Sequence, residues 1–312
     1  MTSRRKRPDQ PLPFQLVTRD RAVLAAVFRH RFLAARHIRQ LHFHGTNVRA
    51  LQVRLRRLWE ARFLDRLYLP PEMPDQRDRW TEVPLYSLDK RGAELVAADL
   101  GIDIARISHT RAQNRRGFFR TRHNLAATDL LVAVEAFCAR SPLITATTTR
   151  EDVLAGLLLR ARRVRRIPYG LVPDGAVTLT MPNVKAPQTY LIEIVRAGVK
   201  AGNDTIRKRL HRYRAALRTG FFRDVYGFAW VRTIVFLTPT WRRAETLSQL
   251  ARDVPGGDGL FRFGAYEAKA AEPLPTAHFP GETTPPFPVL TPQAVRVPLF
   301  PELSITSPQP HV

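Results

Sequence analysis

Two carboxylates in the second half of the chain occupy settings that suit metal chemistry. Asp174 follows a proline just before a predicted strand, and Glu193 lies inside the next strand, 190–195, whose other residues are apolar. A carboxylate in so apolar a strand costs free energy unless it is paired, protonated or bound to a metal ion. Two carboxylates on adjacent strands could hold one Mg²⁺ for phosphodiester hydrolysis. Asp174 and Glu193 are therefore candidate metal ligands and candidate catalytic residues.

A second candidate site is a row of arginines on the third predicted helix, which follows Gly45 and runs to about Arg62. Leu51, Leu55 and Leu58 mark its buried face, and arginines alternate with small residues on the opposite face. Small side chains let a helix enter the major groove of DNA while arginine reaches guanine edges and phosphates; the alternative is a merely solvated basic face. The candidate DNA-binding residues are Thr46, Arg49, Gln52, Val53, Arg56 and Arg57, with Arg77 and Arg79 in the loop that follows.

The elements around this helix indicate how it is positioned. A helix is expected from Thr18, with a capping residue before apolar side chains at helical spacing, and a short helix over 34–43. Two β-prone stretches, 63–69 and 82–88, follow the third helix and are joined by a polar loop. A fourth helix closes the unit. Three helices and a hairpin predict a winged helix-turn-helix over residues 14–101.

The carboxylate pair belongs to a second pattern, in which helices and strands alternate and predict a small mixed sheet flanked by helices. The expected fold class is a two-domain chain, an α+β winged-helix part followed by an α/β part. Its expected organisation is a disordered basic arm over 1–13, the winged helix, a linker over 102–120, the α/β domain over 121–254 and a Pro-rich, largely extended tail over 255–312.

Composition limits the kinds of partner, of metal site and of cellular location that are expected. The 312 residues include 50 Lys+Arg against 27 Asp+Glu, a formal net charge of +23, which favours a polyanion. Cys138 is the only cysteine, which excludes an intrachain disulfide and a cysteine-based zinc site. No apolar run reaches the roughly 18 residues of a membrane helix, and no hydrophobic segment follows the basic start. A cytoplasmic location without a membrane partner is expected.

The histidines are weaker candidates for metal binding or catalysis. His37, His42 and His44 do not share one helical face and have no carboxylate or thiol beside them in the sequence, so metal binding is not expected there. His123 and Asp129 lie two turns apart at the start of a predicted helix. A structural role in that helix is favoured over a catalytic one.

A series of short motifs runs in order from about Thr18 to Leu250. They are residues 18–21, 29–33, 55–58, 64–67, 86–88, 91–93, 123–129, 173–174, the Glu193 strand, 209–213 and 238–240. In this order they resemble the bacterial replication-relaxation family, found on plasmids and mobile elements. The resemblance implies a winged-helix DNA-binding part and a second, restriction-endonuclease-like part similar to the PD-(D/E)xK nuclease core, in proteins linked to plasmid replication and DNA relaxation.

The chain departs from that nuclease pattern at one position. The motif has lysine two residues after the strand glutamate, where this chain has Val195. Lys208 on the following helix could supply the missing positive charge and is a third candidate catalytic residue. Lys200 in the loop is the alternative. A degenerate core that binds DNA or a partner without cleaving is therefore favoured.

The expected function is binding of double-stranded DNA in plasmid or mobile-element replication or DNA relaxation, with no cofactor needed for binding. One alternative is an Mg²⁺-dependent DNA nuclease or nickase. Another is a winged-helix transcriptional regulator. A homodimer and other replication proteins stay open as further partners.

Overall fold

The protein combines α-helices with β-sheets, as expected. The computed structural model describes residues 7–68, 84–118, 121–140, 143–182, 184–195, 202–265, 288–290 and 296–298. Contacts divide the chain into two compact units, Met1–Val132 and Ala133–Val312. Within the described ranges, every helix is too short or too polar to cross a membrane.

The first unit begins with three helices and a small antiparallel sheet. The expected helices and both hairpin strands are present, with ends that differ by a few residues. The strands lie in the order β1-β3-β2, and β3 pairs with both neighbours. The elements are α1 (Thr18–His30), β1 (Leu33–Ala34), α2 (Ala35–His42), α3 (Val48–Glu60), β2 (Leu64–Leu67), β3 (Leu85–Leu88), α4 (Lys90–Leu100), α5 (Arg111–Phe118) and α6 (Thr121–Cys138), which continues into the second unit.

Polar contacts set the start of α3 and tie it to α1. Asn47 caps α3, since its side-chain oxygen accepts a hydrogen bond from the backbone N–H of Arg49 at 2.8 Å. Arg54 of α3 donates from Nε to the buried carboxylate of Asp20 in α1 at 2.9 Å. These contacts fix which face of α3 is turned outward.

Two segments expected to lack structure carry defined contacts in the first unit. Arg7, in the predicted arm, donates to the carbonyl oxygens of Trp59 (2.7 Å) and Leu64 (2.8 Å). Asn114, in the predicted linker, is fully buried and donates to the Leu88 carbonyl at 3.3 Å. Ile107, from the same linker, is buried in the core. Buried backbone carbonyls need donors, which explains why polar residues of these segments pack inward.

The second unit is built on a seven-stranded sheet in the order β10-β9-β8-β7-β6-β5-β4. The central pairs β6–β7 and β7–β8 are parallel, and the pairs on either side are antiparallel. The elements are β4 (Thr145–Arg150), α7 (Glu151–Val164), β5 (Gly175–Thr180), β6 (Gln188–Ile194), α8 (Asn203–Arg218), α9 (Phe221–Tyr226), β7 (Trp230–Thr238), α10 (Trp241–Arg252), α11 (Gly257–Leu260), β8 (Phe261–Ala265), β9 (Pro288–Leu290) and β10 (Arg296–Pro298).

The sheet confirms the expected mixed arrangement but extends further than expected. β8 was placed in the Pro-rich tail, yet Phe261 and Phe263 are fully buried and β8 pairs in parallel with β7. The tail boundary at 254 is therefore too early. α9 was not expected either; Phe221 and Phe222 lie in the core with Tyr213 of α8. Both short elements owe their structure to burial against neighbours.

Candidate nucleic-acid surface and buried carboxylate cluster

The exposed face of α3 carries most of the residues expected to contact DNA. Leu51, Leu55 and Leu58 are buried, and the opposite side faces solvent. Thr46, just before the helix, is half-buried. The exposed residues of the expected set are Arg49, Gln52, Val53, Arg56 and Arg57.

The arginines of α3 differ in what their side chains contact. Arg54 is bound to Asp20, and Arg56 forms an ion pair with Glu60 one turn later, at 2.7 Å. For Arg49 and Arg57, no carboxylate within the described residues pairs with the guanidinium group. Arginine offers five N–H donors in a planar fork, so these two side chains are available to an external acceptor. Arg77 and Arg79 lie outside the described residues.

The second unit brings the two candidate carboxylates together. Gly175 of β5 pairs with Ile192 of β6, so one further step of the antiparallel register places Asp174 opposite Glu193. The backbone N–H of Asp174 donates to the Ile192 carbonyl at 2.9 Å, and the N–H of Ile194 donates to the Asp174 carboxylate at 2.7 Å. Asp174 is half-buried, whereas Glu193 is 3% exposed.

Helix α8 supplies the partners of Glu193. One terminal nitrogen of Arg209 donates a hydrogen bond to Oε1 of Glu193 at 2.8 Å and lies 2.6 Å from Oε2 in an ion pair, and the Tyr213 hydroxyl also donates to Oε1. Burial, reinforced by the nearby charge of Asp174, raises the pKa of Glu193 to about 7, although Arg209 and Tyr213 oppose the shift. Burial beside this carboxylate also raises the pKa of Tyr213 well above its usual range, so the phenol keeps its proton and donates it.

Lys208, the described lysine among the candidates, makes no ion pair with Glu193 within the described residues. Val195 directly follows β6, and the period-two alternation of a strand puts it on the same face as Glu193; it is buried in the core. Lys208 is exposed, and Lys200 lies outside the described residues. The cation that reaches Glu193 is Arg209. Its position beside the apolar stripe Ile206, Leu210 and Tyr213 on α8 was the sequence feature that could have identified it.

His37 and Asp129 form another buried pair, in the first unit. The Ala34 N–H donates to Nδ1 of His37 at 3.1 Å, so Nε2 carries the proton toward Asp129, 2.5 Å away. Arg36 also donates to this carboxylate, at 2.6 Å. Burial would raise the pKa of Asp129, but His37 and Arg36 together hold it below its usual value. The pair joins α2 to α6, a structural role; the side chain of His123 lies outside the described part.

The amino-acid sequence matches the model of one known family. Residues 24–231 match the family model described as replication-relaxation, a match over more than half of the chain. No curated protein matches the sequence significantly. The matched range includes α3, the Asp174–Glu193 pair and Arg209. The chain therefore belongs to the replication-relaxation family.

Proposed function

We propose that this protein binds double-stranded DNA through α3 of a winged helix-turn-helix. The observation that carries the proposal is the outward face of α3, with Arg49 and Arg57 exposed and unpaired within the described residues, on a helix anchored from behind by the Arg54–Asp20 pair. An anchored helix presents its side chains at fixed positions, and fixed geometry is what reading base edges in the major groove requires.

The topology of the first unit supports this function. The order α1-β1-α2-α3-β2-β3, with the sheet order β1-β3-β2, supports a winged helix, in which α3 would be the recognition helix. The hairpin β2–β3 would form the wing. The net charge of +23 supplies the long-range attraction to phosphate.

Membership of the replication-relaxation family supports DNA as the ligand, and it also indicates the process in which the protein acts. We place the DNA binding in the replication or relaxation of a plasmid or mobile element, in the cytoplasm, with a homodimer or other replication proteins as further partners. A transcriptional regulator with the same fold would instead give a symmetric footprint at its own promoter.

Substitutions on α3 test the proposal. In the full-length protein, Arg49→Ala and Arg57→Ala should each weaken binding to the preferred duplex by about 1–3 kcal/mol, because a bidentate contact to a base is lost. Fluorescence anisotropy on preferred and random duplexes measures this. Arg106→Ala is the matched control, since it removes one exposed arginine away from α3. Equal losses in all three variants would contradict recognition by α3.

The second unit supports a nuclease-like core that does not cleave. Strands β4, β5 and β6, with α7 between β4 and β5, precede α8 and β7. This order supports a core similar to PD-(D/E)xK nucleases, in which Asp174 and Glu193 would take the acidic positions. A divalent cation fits this cluster poorly. Arg209 lies against both oxygens of Glu193, and the described residues contain no group of three His, Cys, Asp or Glu side chains that could hold a metal ion.

Metal addition tests this second part. We expect millimolar Mg²⁺ or Mn²⁺ to leave both the melting temperature of the protein and supercoiled plasmid unchanged, because Arg209 already neutralises Glu193. Gel electrophoresis of the plasmid and thermal denaturation measure the two quantities. Nicking that requires metal and is lost in Asp174→Ala while DNA binding persists would contradict the proposal and favour the nickase.

A further inference from the structure

Helix α7 of the second unit ends in a dense run of arginines. Residues 160–166 contain five of them, and the sequence has no acidic residue between Asp152 and Asp174. All five side chains are exposed. They are Arg160, Arg162, Arg163, Arg165 and Arg166.

Among the residues that the structure describes, most of these arginines have no acidic partner. Arg165 pairs with Asp224, donating to its backbone carbonyl at 2.6 Å and lying 3.7 Å from its carboxylate. For the other four, no carboxylate in the described part of the chain forms an ion pair with the guanidinium group. Like charges so close together repel one another and disfavour the folded helix. An external anion that binds between these side chains would relieve the repulsion.

The packing of α7 shows which side is free to meet that anion. Leu154 and Leu158 are buried against the sheet. At 100° per residue, Arg160 and Arg163 lie about 200° and 140° around the helix from Leu158, on the side away from the core. The helix dipole favours cations in the last turn, which accounts for Arg162 and Arg163 alone. Arg160 lies before that turn and Arg166 after it.

We infer that the C-terminal end of α7 is a second DNA-contacting surface, which binds the phosphate backbone of duplex DNA without reading its sequence. The inference rests on the proposed function, because it assumes that the second unit contacts the same DNA duplex. Phosphate groups are the anions that suit this surface, because arginine donates paired N–H groups to phosphate oxygens. A row of closely spaced cations also matches the spacing of the phosphate charges along a DNA duplex. Backbone contacts add affinity and carry no sequence information directly.

The test uses two full-length variants that each lose two positive charges. Arg160→Ala/Arg163→Ala removes the proposed contacts, whereas Arg21→Ala/Arg207→Ala removes exposed or half-buried arginines that are already paired with Asp99 and Asp204, away from the end of α7. The affinity for one random duplex is measured by fluorescence anisotropy at several salt concentrations. Each lost phosphate contact should lower the log–log salt slope by about 0.9, so the first variant should lose between about 1 and 2. The control should stay close to the wild type.

The outcomes separate this inference from the proposed function. Arg160→Lys/Arg163→Lys should keep the wild-type slope, because a point charge suffices for backbone contact. A slope for the alanine pair equal to that of the control would overturn the inference and leave recognition by α3 intact. A lysine pair as weak as the alanine pair would also overturn it. A wild type that does not bind duplex DNA at all would instead overturn the proposed function.

Discussion

Arg209→Ala should lower the free energy of unfolding by about 3 kcal/mol, because it leaves the Glu193 carboxylate buried without its cation. This value is at the low end of the range for breaking buried pairs, since the Arg209 side chain is 39% exposed. Urea denaturation at pH 8 measures the loss. Arg207→Ala, on the same helix, removes only a surface pair with Asp204 and should cost less than about 1 kcal/mol.

The same pair predicts a dependence of stability on pH. The folded-state pKa of Glu193 is about 7, above the ordinary value of 4.5, so the folded state holds the proton more tightly than the unfolded state. The stability contributed by this group is complete below pH 4.5 and is lost as the pH rises through about 7. In Arg209→Ala the loss should be larger and should continue to higher pH, because no cation opposes the rise in the pKa of Glu193 that burial causes.

Glu193→Gln/Arg209→Ala is the control for this explanation. The amide carries no charge, so the double variant should recover part of the stability and should lose the pH dependence. Equal stability of Arg209→Ala and the wild type at pH 8 would show that Glu193 does not need its partner.

Gly92→Ala should destabilise the first unit by about 3 kcal/mol or more, beyond ordinary overpacking. A Cβ atom at Gly92 would lie 2.1 Å from the backbone oxygen of Phe63, so α4 would have to move away from the segment that leads into β2. A flexible side chain could relieve such a contact by changing its rotamer, but a backbone atom cannot. Thermal denaturation followed by circular dichroism measures the effect.

Gly156→Ala is the matched control for the Gly92 substitution. Gly156 also lies within a helix, α7, but a Cβ atom there would meet nothing within 4 Å. Alanine has the higher helix propensity, so this change should stabilise the protein by about 0.5–1 kcal/mol. Similar losses in both variants would mean that helix flexibility, and not the contact with Phe63, determines the effect at Gly92.

Local patterns in the sequence were sufficient for α3 and for its outward face. The spacing of Leu51, Leu55 and Leu58 predicts both the length of α3 and the exposure of Arg49 and Arg57, since side-chain direction along a helix follows from its 3.6-residue period. The order of the short motifs was likewise sufficient to identify the family. Propensity could not predict β8, because a five-residue strand depends on a neighbour such as β7.

The sequence by itself determined that Glu193 needs a partner, because no carboxylate is stable alone in an apolar strand. Only the tertiary structure decided that the partner is Arg209 and not Lys208. The two residues are adjacent in the chain, and the choice depends on which side of α8 packs against β6. The roles of Asn114 and Arg7 were decided in the same way. Each satisfies backbone carbonyls that come within reach only when distant segments pack together.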